Sequence, residues 1–495
     1  MAKLKEIIWP IRKEEIKLFL PLSLMMMCML FNFGALRSIK DSLVVPAIGA
    51  EAISFLKLWL VLPSSVCFTL FYIKLSNKLD FENLFYTIVS VFLIFFLLFA
   101  FVIYPNQNYY HPDAESIKSL ALNYPNLQWF IKIIGKWSYA LMYIFSELWS
   151  VVVINLMFWQ FANQIFDTEK AKRFYPILGM IGNFGLVAAG IALMTFSSLN
   201  TIEEAIGDVI SLQLSHNQIG RMLKPMMSMI VGAGFLTMIL LKIIYRFRLA
   251  ESDQQISPTI LVKNIKTKLS LKDSLKLVIG SKYLGHIVIL ILCYGLLINI
   301  LEGPWKAKIR ELYPNTLDYA NFMGRFNIWM GVSCVTFMVI GSNILRNFSW
   351  LRSAMLTPIM IGITGAIFFT FMIFAKKFEL LGGLNPLYIA VFIGALQNIL
   401  SKSTKYSLFD STKEIAYIPL PLELKTKGKA AVEIIGLKFG KSLGAFIQSM
   451  IFVFLPQANF DSIAIYLMSI FIVVITLWLW NLVELNREYL KFLKK

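Results

Sequence analysis

The sequence predicts an all-α membrane protein of twelve transmembrane helices arranged as two six-helix halves. Three observations carry that prediction. First, 58% of the 495 residues are hydrophobic and the mean hydropathy is +0.68, more apolar surface than a soluble core can hide. Second, that surface falls into twelve runs, near 18–38, 52–75, 82–104, 137–163, 173–197, 224–245, 283–303, 320–345, 351–375, 386–408, 430–455 and 461–484. Their length suits membrane-spanning helices, and they are continuous rather than alternating, which excludes a β-barrel. Third, Lys and Arg collect between alternate runs, as they do in cytoplasmic loops.

The chain opens with Lys3, Lys5, Arg12, Lys13 and Lys17. No cleavage site or transit segment precedes the first run, which favours a bacterial inner membrane over an organelle-targeted precursor. Lys170, Lys172 and Arg173 lie between runs four and five, a basic stretch from Arg246 to Lys282 joins runs six and seven, and the tail ends in Lys494-Lys495. With twelve spans all four segments share one side, so both termini are expected in the cytoplasm. The middle stretch divides the chain into an N-terminal bundle (1–245), a basic linker (246–282) and a C-terminal bundle (283–495). Within the linker, Leu261 to Leu277 places apolar residues at helical spacing among lysines, the pattern of a surface amphipathic helix.

The net charge of +18 is dispersed among the spans, which excludes a nucleic-acid-binding patch and leaves the lipid bilayer and small anions as partners. Cys28, Cys67, Cys293 and Cys334 lie in apolar runs without metal or redox spacing and are expected to be core fillers with no disulfide. His111, His216 and His286 are scattered, so neither a metal site nor a cofactor is expected.

The halves carry faint internal similarity. Phe166-Asp167-Thr168-Glu169-Lys170 precedes a helix with Gly182-Asn183-Phe184-Gly185, and Phe409-Asp410-Ser411-Thr412-Lys413-Glu414 precedes one with Gly440-Lys441-Ser442-Leu443-Gly444. Their parallel order points to duplicated halves related by an axis along the membrane normal, a major-facilitator-like arrangement.

The candidate site is built from charges inside these runs. Leu36-Arg37-Ser38-Ile39-Lys40-Asp41 closes the first run, and the spacing puts Asn32 and Lys40 roughly on one helix face. Snorkelling to the interface would explain Arg37 and Lys40 alone; charges on three further helices favour an internal site. Glu147 sits about ten residues into run four, near the midplane, where a carboxylate is functional by default. In run seven, Asn299 and Glu302 share a face, Gly303-Pro304 should break or bend the helix, and Lys306 lies one turn beyond. Lys308 and Arg310 follow on the supposed outer side, as expected of a pore-lining helix. Glu433 and Lys441 share a face of run eleven beside a close-packing stripe of Gly436, Gly440 and Gly444. The segment Gly436 to Ser442 imitates a phosphate-binding loop, but three residues separate its glycines where four are required. Lysines facing glutamates, with no metal-ligand cluster, suit a phosphate-bearing or other multivalent organic anion. Carboxylates that neutralise the lysines of an empty carrier would favour exchange.

Several motifs in order resemble one family: Leu36 to Asp41, Glu147-Leu148-Trp149, Phe158-Trp159-Gln160-Phe161-Ala162-Asn163, Glu302 with Trp305-Lys306, Lys405-Tyr406-Ser407-Leu408-Phe409-Asp410, Ala416 to Leu420 and Gly440-Lys441-Ser442. The sequence is similar over nearly its whole length to the nucleotide transporter (TLC) family, the ATP/ADP translocases of obligate intracellular bacteria and plastids, and most of all to rickettsial members. That resemblance implies twelve spans and antiport of nucleoside triphosphate for diphosphate. It implies critical charges at Lys40, Glu147, Glu302 and Lys441, to which Arg37, Asn183, Lys306 and Phe158 are added as further substrate-binding candidates. Departures at Glu302-Gly303-Pro304-Trp305 and Ser442-Leu443-Gly444 lean towards a paralogue exchanging GTP, GDP, CTP or UTP. A monomer is expected. The alternatives are a proton-coupled nucleotide or organic-anion symporter with Glu147 as relay, and an enzyme acting on a phosphorylated lipid.

Overall fold

The computed structural model describes residues 11–166, 168–207, 218–252, 280–374, 385–421 and 429–493. The linker segment Leu261–Leu277 and the side chains of Glu433 and Lys441 lie outside the described residues.

Each apolar run is covered by a helix. In chain order these are α1 (Ile16–Ala47), α2 (Ala52–Ser76), α3 (Phe81–Ile103), α4 (Trp137–Asn163), α5 (Thr168–Gly207), α6 (Gln218–Ser252), α7 (Lys282–Leu312), α8 (Thr316–Asn347), α9 (Trp350–Ile373), α10 (Pro386–Thr404), α11 (Lys429–Phe454) and α12 (Ala464–Leu493). Ten are long and apolar enough to span a bilayer unaided, while α11 contributes a shorter apolar stretch, Ser442–Phe454. Successive helices alternate in direction, so the ends of α1 and α12 that carry the termini define a terminal face and the α1–α2 connection a distal face.

Two features of α1 and α7 depart from the sequence expectations. The charged motif does not close the first helix: α1 is 32 residues long, about 48 Å at the α-helical rise, and it buries every residue from Ala35 to Val45. Helix α7 runs unbroken through Gly303-Pro304. Proline fits α-helical φ and sacrifices one hydrogen bond, and nearly every residue of α7 from Tyr283 to Ile309 is buried, so packing holds the turn together. Gly303 is needed there for another reason: a Cβ would meet the Phe460 ring at 2.6 Å.

The halves meet along α5 and α8, where glycines let backbones touch. A Cβ on Gly190 would lie 2.5 Å from the Gly324 carbonyl oxygen, and one on Gly331 would lie 2.9 Å from that of Asn183. Such small-residue contact is how membrane helices associate without a hydrophobic drive. Gly440 and Gly444 also bring α11 close to α7, where a Cβ would lie 3.3 Å from Leu292 and 2.7 Å from Asn299 respectively, as the glycine stripe predicts. A second junction lies at the distal face. There Asn126 donates to the Val453 carbonyl at 2.8 Å and Gln128 donates to that of Pro456. Gly49, at φ +136°, lets Trp129 approach within 2.8 Å of its ideal Cβ position. Cys28, Cys293 and Cys334 are buried as expected, but Cys67 is exposed on a helix whose outer face is apolar.

Candidate functional site

A continuous chain of ion pairs crosses the interior from one half to the other. Glu147 on α4 pairs with Lys40 on α1 at 3.0 Å. Lys40 also pairs with its neighbour Asp41 at 3.0 Å, and its ammonium lies 3.7 Å from the centroid of the Tyr143 ring. Asp41 meets Lys306 of α7 at 2.8 Å. One turn back, Glu302 binds Lys306 at 3.2 Å and accepts from Arg37 at 3.0 Å through the same oxygen, while Lys57 of α2 donates to its other oxygen at 2.8 Å. Four helices thus bring four cations and three anions together.

Burial gives this chain its energetic weight. The side chains of Asp41, Lys306 and Lys40 are at most 3% exposed, whereas Glu147 is 28% exposed. An ion taken into a low-dielectric interior costs several kcal/mol, recovered only with good geometry and multiple partners. Glu302 meets that demand with three cations. Its surroundings are set by α11: the Asn299 side chain accepts from Lys57 at 2.9 Å, its carbonyl accepts from Gln448 at 2.9 Å, and Gly444 leaves room for its Cβ.

Two charged residues of the site, one cation and one anion, stand within or beside π-helical turns. Lys57 lies within the turn Leu56–Val61, and the turn Ser150–Phe158 begins three residues after Glu147. A third such turn, Lys405–Phe409, continues α10 and begins three residues after Lys402. Inserted π-turns re-aim side chains within a helix and concentrate at functional positions.

Of the sequence candidates, the structure joins Arg37, Lys40, Glu147, Glu302 and Lys306. Asn183 lies elsewhere, bonded to the Gly179 carbonyl of its own helix at 2.7 Å and packed at the α5–α8 seam. Phe158 is fully buried against Trp159, at 5.4 Å between ring centroids. Asn32 does not share the face of Lys40; its amide donates to the Ile230 carbonyl of α6 at 3.0 Å, since eight residues overshoot two helical turns by about 80°. Lys308 leaves the site for Glu311 and Asp461 near the distal face, at 2.7 and 3.0 Å. Asp41, Lys57 and Lys402 are not among the substrate-binding candidates that the sequence offers. Lys57 was legible as the one charge in an otherwise apolar stretch from Ala52 to Ile73, and Lys402 as a lysine inside run ten.

The profile of the TLC ATP/ADP transporter family matches residues 1–489. The chain belongs to the TLC ATP/ADP transporter family. Among its TLC relatives, ADP,ATP carrier protein 3 of Rickettsia prowazekii (strain Madrid E) is 65% identical over 492 residues, covering 99% of this chain and 98% of the relative. ADP,ATP carrier protein 1 of Rickettsia conorii (strain ATCC VR-613 / Malish 7) is 44% identical over 99% of this chain and 96% of the relative. Among solved structures, a bacterial homologue of the iron transporter ferroportin, in its inward-facing state, superposes with a TM-score of 0.55 at 14% identity, covering 95% of this chain and all of that one. A POT family transporter in complex with thioalcohol-conjugated peptide superposes at 0.52 and 11% identity, covering 94% and 96%. At these identities the likeness is one of fold, and it agrees with the major-facilitator-like arrangement read from the repeats.

Proposed function

We propose that this TLC transporter is a nucleotide antiporter that exchanges a nucleoside triphosphate for a diphosphate by alternating access around the buried ion-pair chain. The observation that carries this reading is the cation surplus of a site assembled from both halves, with Lys306 of one half paired to Asp41 of the other at 2.8 Å. An entering polyphosphate replaces carboxylates as the counterion of Lys40, Arg37 and Lys57, since lysine and arginine both hold phosphate oxygens through charge-assisted bonds. Glu147, the most exposed member, is the first carboxylate it meets. Lys441, carried over from the family motif, is assigned to the phosphates from the second half.

Exchange rather than uniport follows from the same pairs. With the site empty, Asp41 and Glu302 each hold cations of both halves, so the halves resist moving past one another; a bound nucleotide satisfies those cations and frees the carboxylates for ribose or base. The relatives' names make ATP against ADP the exchange to expect. The Gly303-Pro304 pair beside Glu302 makes GTP, CTP and UTP the necessary comparison. The basic segments between alternate spans support a reading with both termini in the cytoplasm and the protein in a bacterial inner membrane.

The test is reconstituted exchange with labelled ATP, GTP, CTP and UTP in vesicles preloaded with nucleotide. Uptake stimulated by internal nucleotide and indifferent to an imposed pH gradient is expected. Uptake driven by the gradient into empty vesicles would establish proton-coupled symport instead.

A further inference from the structure

Lys402 is a half-buried lysine whose enclosed ammonium the ion-pair chain does not accommodate. It lies on α10, and its Nζ is enclosed yet has no hydrogen-bonding partner among the described residues. Every cation in the chain holds at least one carboxylate. Lys402 instead faces the ring of Phe326 at 5.5 Å, and the Arg37 guanidinium faces the same ring at 5.8 Å. Two cations thus flank one phenyl group at the edge of the site, one of them already committed to Glu302. One turn earlier on the Lys402 face of α10, the Oδ1 atom of Asn398 is also buried without a partner, while its amide is spent on the Gly394 carbonyl at 2.9 Å.

A cation–π contact at that distance is worth about 0.5 to 2 kcal/mol, whereas burying an ammonium without a counterion costs several. The ring alone does not account for a lysine here; an anion that arrives with the substrate does. We infer that Lys402, together with Arg37, binds the terminal phosphoryl group of the transported nucleotide, and that Asn398 accepts a hydrogen bond from the same bound molecule. The inference rests on the nucleotide reading of the site and adds to it a residue that distinguishes polyphosphate length. Free inorganic phosphate has the same chemistry as a terminal phosphoryl group and is separated from it by the experiment.

The experiment compares wild type, K402M and K402R in proteoliposomes. It measures KM and maximal rate for nucleoside tri-, di- and monophosphate, and inhibition by inorganic phosphate. K402M should fold at least as well as wild type, because an apolar isostere in place of an unpartnered buried charge is neutral or stabilising. It should raise KM for the triphosphate about tenfold or more, with a smaller rise for the monophosphate and a maximal rate within a few-fold, and K402R should recover most of the loss. If the subsite serves inorganic phosphate instead of the nucleotide, phosphate inhibits wild type and not K402M while the nucleotide KM values are the same in both; that outcome overturns the assignment to the nucleotide. Unchanged KM values in K402M, an equal rise for all three nucleotides, or a loss of thermal stability would also overturn it. Should wild type exchange no nucleotide, the proposed function falls; should it exchange them with K402M indistinguishable, only the role of Lys402 falls.

Discussion

Lys306 reaches across the boundary between halves to Asp41, 2.8 Å away, with both side chains almost wholly shielded from solvent. Each belongs to a further pair, Asp41 to Lys40 and Lys306 to Glu302, so the contact is the middle link of a chain rather than an isolated bridge. Breaking a buried pair by removing one partner costs about 3 to 5 kcal/mol, chiefly because the other charge is left uncompensated. D41N or K306M alone should therefore lower thermal stability in detergent sharply. D41N combined with K306M should recover at least half of the loss, and a double mutant as unstable as the sum of the singles would show that the two residues are not coupled.

At the exposed end of the chain, the expected consequence is functional rather than structural. Glu147 is partly open and Lys40 retains Asp41, so E147Q should insert and fold normally while exchange falls by two orders of magnitude or more. K40Q should abolish exchange through loss of the phosphate contact. Wild-type uptake by either variant at matched membrane abundance would remove that residue from the substrate path.

The α5–α8 seam makes a prediction about packing. At Gly190 an added methyl would stand 2.5 Å from a backbone oxygen, which cannot rotate away as a side chain would. G190A should cost about 1 to 3 kcal/mol of stability, the usual penalty of overpacking. G232A on α6, where a Cβ meets nothing within 4 Å, is the control and should be silent by thermal shift.

On the distal face, Asn126 and Gln128 each clasp a carbonyl of the opposite half. A neutral hydrogen bond contributes about 1 kcal/mol net, so the double variant N126A with Q128A should shift the balance between the two access states roughly thirtyfold towards distal opening. Reagent labelling of a cysteine placed at Ala50, which is buried at the distal face beside Glu51 and Phe460, reads this directly. Unaltered labelling would mean that the clasp does not gate that face.

On the terminal face, Arg173 donates twice to Glu15, at 3.1 and 2.7 Å. The guanidinium beside Glu15 is the main cause that holds its carboxyl below the usual range. A carboxylate whose folded value is depressed contributes stability above its unfolded pKa and loses it as pH falls through the folded value. The difference in thermal stability between wild type and E15Q should thus be full at pH 7, shrink below about pH 4.5, and vanish in stronger acid. A difference constant with pH would show that the pair does not titrate with folding.

Much of this arrangement was legible in the sequence. Twelve apolar runs announced twelve helices because a bilayer demands length and internal hydrogen bonding, and Glu147 and Glu302 stood out because a carboxylate inside such a run must be paired. The partners were harder to see. Lys57 had no motif around it, and Asp41 was overshadowed by the lysine next to it, since sequence order does not reveal which half supplies a counterion. Helical periodicity misplaced Asn32 because an eight-residue step is not an integral number of turns. The uninterrupted α7 defied its Gly-Pro pair because surrounding side chains, not local propensity, decide whether a proline ends a buried helix.

The π-helical turns in α2, α4 and α10 store surplus length inside otherwise regular helices. Because an extra residue in a turn rotates everything beyond it by about 100° relative to an uninterrupted α-helix, the final turn of α4 beyond Phe158 faces where it does only while that surplus remains wound in. A carrier built this way has a means of twisting one end of a helix against the other without unwinding it. Deleting one residue within Ser150–Phe158 would freeze that freedom while leaving every buried charge in place.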